Sequence, residues 1–78
     1  MYGFNIGDIV DIDKQAVIDN AAALDCNYDS SFEVIRRLNI GENAYNLRDV
    51  ASNEKIYIRE DVEYNFIENE LGIYKLRI

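Results

Sequence analysis

The chain of 78 residues contains no histidine, no proline, no tryptophan and a single cysteine. Without histidine it lacks the commonest general base, the commonest zinc ligand and every Ser-His or Cys-His nucleophile pair. One cysteine, Cys26, permits no internal disulfide and no cysteine-rich zinc site. Bases are scarce as well: 8 lysines and arginines stand against 15 aspartates and glutamates, for a net charge of −7. That field disfavours direct binding to nucleic-acid phosphates and favours a protein partner with a basic surface. Long apolar runs are missing too. The longest, Ala21–Leu24, falls far short of the roughly 20 residues that span a bilayer. Met1–Asp8 places no positive region before an apolar stretch, so no signal peptide is expected. The default expectation is a reduced, cytoplasmic setting without membrane contact.

What is present suits one small globular domain over residues 1–78. Apolar residues make up 49% of the chain, ordinary for a folded protein and too many for a disordered one. The charge is uneven. Residues 1–35 carry seven acids against Lys14 alone, and residues 60–70 carry five acids and no base. A mildly basic middle lies between these two acidic segments.

Asp8–Ile12 reads as a first strand with Val10 and Ile12 on one face. A helix is expected from Lys14 to about Leu24, capped by Asp13, with Val17, Ile18, Ala21 and Leu24 at helical spacing. Phe32–Ile40 is the clearest strand, its even positions apolar except for Arg36. Two further strands, Ala44–Val50 and Lys55–Arg59, complete an antiparallel meander joined at Gly41–Asn43 and Ala51–Glu54. Gly7 and Gly41 suit turns that need positive φ. Glu60–Tyr64 looks like one helical turn, Asn65–Glu70 is ambiguous, and Ile73–Ile78 alternates as a terminal strand expected to pair with the first. Shared phase predicts a core of Phe32, Val34, Leu38, Leu47, Ile56 and Ile58.

The opening Phe4–Ile12 (an aromatic, an apolar residue, Gly7-Asp8, then a strand with two inward aliphatics) resembles that of small SH3-like barrel proteins of bacteria and bacteriophages. The likeness continues through a long connection (Asp13–Ser30), a meander and a helical turn at Arg59–Val62 before the last strand. It implies a mainly β (β-rich α+β) fold: a small SH3-like barrel with a helical insertion after the first strand. Such barrels host unrelated functions.

Catalytic and metal chemistry find little support. Asp8, Asp11 and Asp13 fail the calcium-loop pattern, since the third residue from Asp8 is Val10 and the sixth from Asp11 is Ala16. Turn and cap roles are expected for them. Glu60, Asp61 and Glu63 suggest paired carboxylates, but acid–base work on a sugar needs a deep cleft. Cys26, beyond a helix C-terminus and with no histidine to activate it, reads as a partly buried side chain. Ser30 and Ser31 lack a base. Arg36, Arg37 and Arg48 are enough for a small cationic patch that takes one anionic ligand, with pairing to the many acids the simpler fate. No cofactor, metal or catalytic residue is assigned.

Six tyrosines are many for this length, and Tyr2, Tyr28, Tyr57, Tyr64 and Tyr74 have no sure core position. Tyrosines beside carboxylates make good contact anchors. Tyr57, Glu60, Asp61, Glu63 and Tyr64 are therefore the expected partner-binding residues. The reading is a small, acidic, non-catalytic protein-binding domain, monomeric or weakly homodimeric, of a kind that suits a bacteriophage or mobile-element modulator of a host protein. The alternative is a DNA-mimic inhibitor whose spaced carboxylates occupy the basic groove of a DNA-binding protein.

Overall fold

Residues 1–73 are described by a computed structural model. In chain order the elements are β1 (Ile9–Ile12), α1 (Lys14–Asp19), β2 (Phe32–Asn39), β3 (Asn43–Asp49), β4 (Tyr57–Arg59), β5 (Val62–Glu63), β6 (Phe66–Ile67), a 3-10 turn (Glu68–Glu70) and β7 (Leu71–Ile73). Five strands form one antiparallel sheet in the order β6-β3-β2-β1-β7, while β4 and β5 form a separate ribbon. The fold is mainly β. Among the described residues nothing pairs β6 with β7, so the sheet is not closed into a barrel. The pairing of the last described strand with β1 matches the expected partner; positions 74–78 of the expected terminal strand lie outside the described residues.

Strand register builds the core. Val10 faces Phe32, Ile12 faces Leu71, Val34 faces Leu47 and Tyr45 faces Phe66. Residues directly opposite share a side of the sheet, so these eight lie on one side, and all are buried. Val17 from α1, Ala22 and Ile56 complete the cluster.

The predicted core contained Leu38 and Ile58, and both belong elsewhere. β2 carries a bulge between Val34 and Arg36. The extra residue reverses the strand's phase, because side chains alternate sides with a period of two. Beyond the bulge Arg37 faces Tyr45 and Leu38 faces Ala44, which leaves Leu38 half-buried and Ile40 exposed. Arg36, where the alternation fails in sequence, marks the place.

Ile58 is displaced for a different reason. After β3 the chain bonds back to it at the isolated Arg48–Lys55 bridge, where the Asp49 N–H donates to the Glu54 carbonyl at 2.7 Å and the Ile56 N–H to the Leu47 carbonyl at 3.1 Å. Ile56 then drops into the core and the chain turns away as the β4–β5 hairpin, leaving Ile58 40% exposed. The Tyr64 N–H donates to the Ile56 carbonyl at 3.0 Å and brings the chain back. β6 therefore takes the place beside β3 that the third meander strand was expected to fill. The expected helical turn at 60–64 is the turn and second strand of this hairpin. The helical turn that does precede β7 is the 3-10 turn Glu68–Glu70.

α1 begins as expected: Asp13 Oδ1 accepts from the Ala16 N–H at 3.1 Å. It ends at Asp19 rather than near Leu24. The Ala22 N–H reaches the Val17 carbonyl (3.1 Å) and the Ala21 N–H the Ile18 carbonyl (2.9 Å), the two bonds of a Schellman stop. This stop turns Ala22 and Val17 together into the core and forces Ala21 to φ 62°. A Cβ makes that left-handed conformation costly.

Two outcomes follow. Ala21→Gly should raise stability by about 0.5–1 kcal/mol, read as a higher urea midpoint with unchanged slope. Ile56→Ala should cost about 2–5 kcal/mol, whereas Ile58→Ala should cost under about 1 kcal/mol. Equal losses at the two isoleucines would refute the separation of the hairpin from the core.

Candidate functional site

The β4–β5 hairpin gathers most of the residues singled out from sequence. Tyr57 faces Glu63 and Arg59 faces Val62, with Glu60 and Asp61 as the turn. Asp61 takes φ 58°, which aspartate tolerates better than most residues. A bulge between Tyr57 and Arg59 adds twist to the ribbon. Both turn acids are exposed. So are three large apolar side chains: Tyr57 at 45%, Ile58 at 40% and Val62 at 38%. Ile58 shares the phase of Ile56 and so reads as inward from sequence, yet it lies on the surface. The signal was the two-residue turn between aliphatic neighbours, weak here because Glu60-Asp61 is not a strong hairpin pair.

Glu63 and Tyr64 differ from expectation. Glu63 is half-buried, and its Oε1 is buried without a hydrogen-bond partner among the described residues. Tyr64 is half-buried and turned inward, its ring edge-on to Phe66 with centroids 4.7 Å apart. Its hydroxyl donates to Glu70 Oε2 at 2.6 Å. Burial, and then the bond to Glu70 and its charge, push the Tyr64 phenol well above its ordinary range. The Tyr64 hydroxyl is thus committed to Glu70.

Glu70, one of the five acids of residues 60–70, is fully buried. Besides Tyr64, its carboxyl accepts from Asn20 Nδ2 (3.1 Å) and the Ile67 N–H (2.9 Å). Nothing in residue type or spacing separates Glu70 from its exposed neighbours.

β4 lines an open cleft of about 740 Å³ together with Ala23, Asp25–Asn27 and Ser30. Asp49, also in its lining, accepts from Ser30 Oγ (2.7 Å) and the Ala51 N–H (2.8 Å). Cys26 is partly buried in this cleft. Desolvation, then the charges of Asp49 and Asp25, push its thiol up and away from the reactive thiolate.

The three arginines do not share one side of the sheet: Arg37 faces Tyr45 on the core side, whereas Arg36 faces Asn46 on the other, the side that Arg48 shares. Arg48 pairs with Glu33, the single salt bridge among the described residues, while Arg37 lies over the Tyr2 ring at 4.9 Å. Tyr2 and Phe4 both pack edge-on to Tyr45. The Tyr45 hydroxyl donates to Glu68 Oε2 at 2.6 Å, and the Gly3 N–H donates to the same oxygen at 2.9 Å. These bonds, the Tyr45 one first, hold the Glu68 carboxyl below its usual value. Of the three early aspartates, Asp8 accepts from the Asn5 N–H at 2.8 Å and Asp13 caps α1. No group of three or more metal-ligating side chains occurs among the described residues. No helix there is long and apolar enough to cross a membrane.

A comparison with protein-family models found no match, and comparisons with curated proteins and with solved structures found none.

Tyr64→Phe should cost about 1–3 kcal/mol, since it deprives a buried carboxyl of one donor; chemical denaturation checks it. Glu68 supplies a pH signature. A carboxyl held low stabilises the fold above its ordinary pKa of 4.5, and that stabilisation is lost as pH falls through the depressed folded value. The stability gap between wild type and Glu68→Gln should therefore close on acidification below that range. A gap that does not change with pH would show that Glu68 acts through packing alone.

Proposed function

We propose that this chain is a small, acidic, non-catalytic protein-binding domain that presents the β4–β5 hairpin to a partner with a basic surface. One observation carries the reading. Tyr57, Ile58 and Val62 are exposed on a two-stranded ribbon outside the main sheet, and the acids Glu60 and Asp61, with no ion partner among the described residues, sit at its tip. Exposed aromatic and aliphatic side chains beside carboxylates suit a contact that is apolar at its centre and acidic at its rim. Tyr57 acts as the anchor, and Glu60 and Asp61 steer the encounter. Tyr64 and Glu63 contribute by holding the hairpin. We further propose an SH3-like origin for the fold. The pairing of β7 with β1 and the 3-10 turn before β7 support it. A bacteriophage or mobile-element protein acting on a host factor is consistent with so small an acidic domain.

The test uses a partner captured from a host lysate, with binding kinetics at low and high salt. Glu60→Lys with Asp61→Lys should slow association roughly tenfold at low salt, with dissociation little changed. Tyr57→Ala should speed dissociation at either salt. A complex indifferent to all three changes would eliminate the hairpin as the binding surface. If the double charge change abolishes binding whereas Tyr57→Ala has no effect, the DNA-mimic alternative takes its place.

A further inference from the structure

We propose that the strand edge at Lys55 and Tyr57 docks an extended basic segment of a partner protein, which adds to it as a further antiparallel strand. This deepens the protein-binding reading above and rests on it. Residues 54–56 run along β3 at the Arg48–Lys55 bridge, held by the Asp49 N–H on the Glu54 carbonyl and the Ile56 N–H on the Leu47 carbonyl. The Ile56 carbonyl then accepts from the Tyr64 N–H, beside the Tyr57–Glu63 pair. Lys55 and Tyr57 therefore stand at non-hydrogen-bonded positions, and their own N–H and C=O groups point to the opposite edge. Among the described residues no backbone–backbone bond outside the strand pairs uses any of those groups. An edge of this kind is a template for another strand.

The two sides of this edge differ in chemistry. Lys55 lies opposite Arg48 and shares its side, away from the core, whereas Glu54 and Ile56 take the core side. Asp49, opposite Phe32, is on the core side as well. The cleft of about 740 Å³ that Ile56 lines carries three carboxylates, Asp25, Asp49 and Glu54, and one base besides Lys55, the hairpin's Arg59. Neither Asp25 nor Glu54 has an ion partner among the described residues. Lys55 and Tyr57 also line a second cleft, of about 470 Å³, which leaves room beside them for a strand. An antiparallel strand laid there bonds through the residues opposite Lys55 and Tyr57. The residue between these, opposite Ile56, projects on the side of the acids. The segment that fits therefore alternates, with apolar residues against the Lys55 stem and the Tyr57 ring and basic residues toward Asp25, Asp49 and Glu54. A second copy lacks this pattern. Paired about Ile56, it brings its own Glu54 and Ile56 to the acidic side, and the net charge of −7 on each copy opposes the approach.

The end-capped peptide Thr-Lys-Val-Lys-Val-Lys-Thr carries that alternation. Nuclear magnetic resonance of the isotope-labelled wild-type chain, with peptide added to about 1 mM, reads the contact residue by residue. Lys55 and Tyr57 should shift, and exchange of their amide hydrogens should slow severalfold. N-methylation of the peptide's valines should abolish binding, because it removes the donors that face the edge. N-methylation of its lysines, whose N–H groups face away, should weaken binding by less than about threefold. A peptide with glutamate for each lysine should bind at least about tenfold more weakly, and Glu54→Lys should weaken the lysine peptide about threefold. Equal binding of the two methylated peptides, or of the lysine and glutamate peptides, overturns the proposal. Slow exchange at Lys55 and Tyr57 in the free chain at about 1 mM, lost on dilution, overturns it too and gives the edge to a second copy. Glu60→Lys with Asp61→Lys tests the hairpin contact separately. A captured partner that senses those charges, while the two methylated peptides bind alike, leaves the hairpin contact standing and strand addition overturned.

Discussion

The Glu70 carboxyl has no surface of its own, and three parts of the chain converge on it. Asn20 reaches it from the end of α1, Tyr64 from the return of the hairpin, and the Ile67 N–H from the end of β6. The Glu70 carbonyl meanwhile accepts from the Asp13 N–H at 2.8 Å, which fixes the junction of β1 and α1. Burying a carboxyl is costly unless its oxygens are satisfied. Its three donors are brought together only when α1, the hairpin and β6 are all in place. The residue ties the 3-10 turn to elements about fifty positions away, and the hairpin inherits its footing from it through Tyr64.

The bulge in β2 is the second constraint. Before it, Phe32 and Val34 point into the core; after it, Arg37 takes the core side and Leu38 the other. This switch ends the apolar layer where Tyr45 meets Tyr2 and Phe4, so the first residues of the chain cap the core with aromatic rings in place of aliphatic side chains. Arg37 stacked on Tyr2 is the consequence. β3 is covered on both sides: Tyr45 and Leu47 face the core, while Ala44 and Asn46 are buried on the opposite side. Asn46 Nδ2 there donates to the Tyr64 carbonyl at 3.2 Å and to Asn65 Oδ1 at 2.8 Å.

These two constraints leave the β4–β5 ribbon outside the five-stranded sheet, attached at Ile56 and at Tyr64. Such an element is held at its base and free at its tip, a placement that binding surfaces commonly use. Its apolar side chains have no place in the core, and its acids have no ion partner among the described residues. The proposed partner contact draws on that exposure.

Sequence by itself determined the local structure. The Asp13 cap, the turn at Gly41 with φ 98°, the three strands that begin the main sheet and the inward phase of Val10, Ile12, Phe32, Val34 and Leu47 were all legible, because caps, turns and alternation depend on near neighbours. The tertiary structure decided the rest. Whether the apolar phase of β2 persists past Arg36 depends on how β3 pairs with it. Whether Ile58 follows Ile56 inward depends on which strand occupies the edge of β3, and β6 holds it. Tyr64 and Glu70 resemble their exposed neighbours in type and spacing; only the convergence of distant segments separates a buried tyrosine–carboxyl pair from a solvated one. Long-range pairing chooses among arrangements that the local pattern leaves equal, and the hairpin owes its place on the surface to that choice.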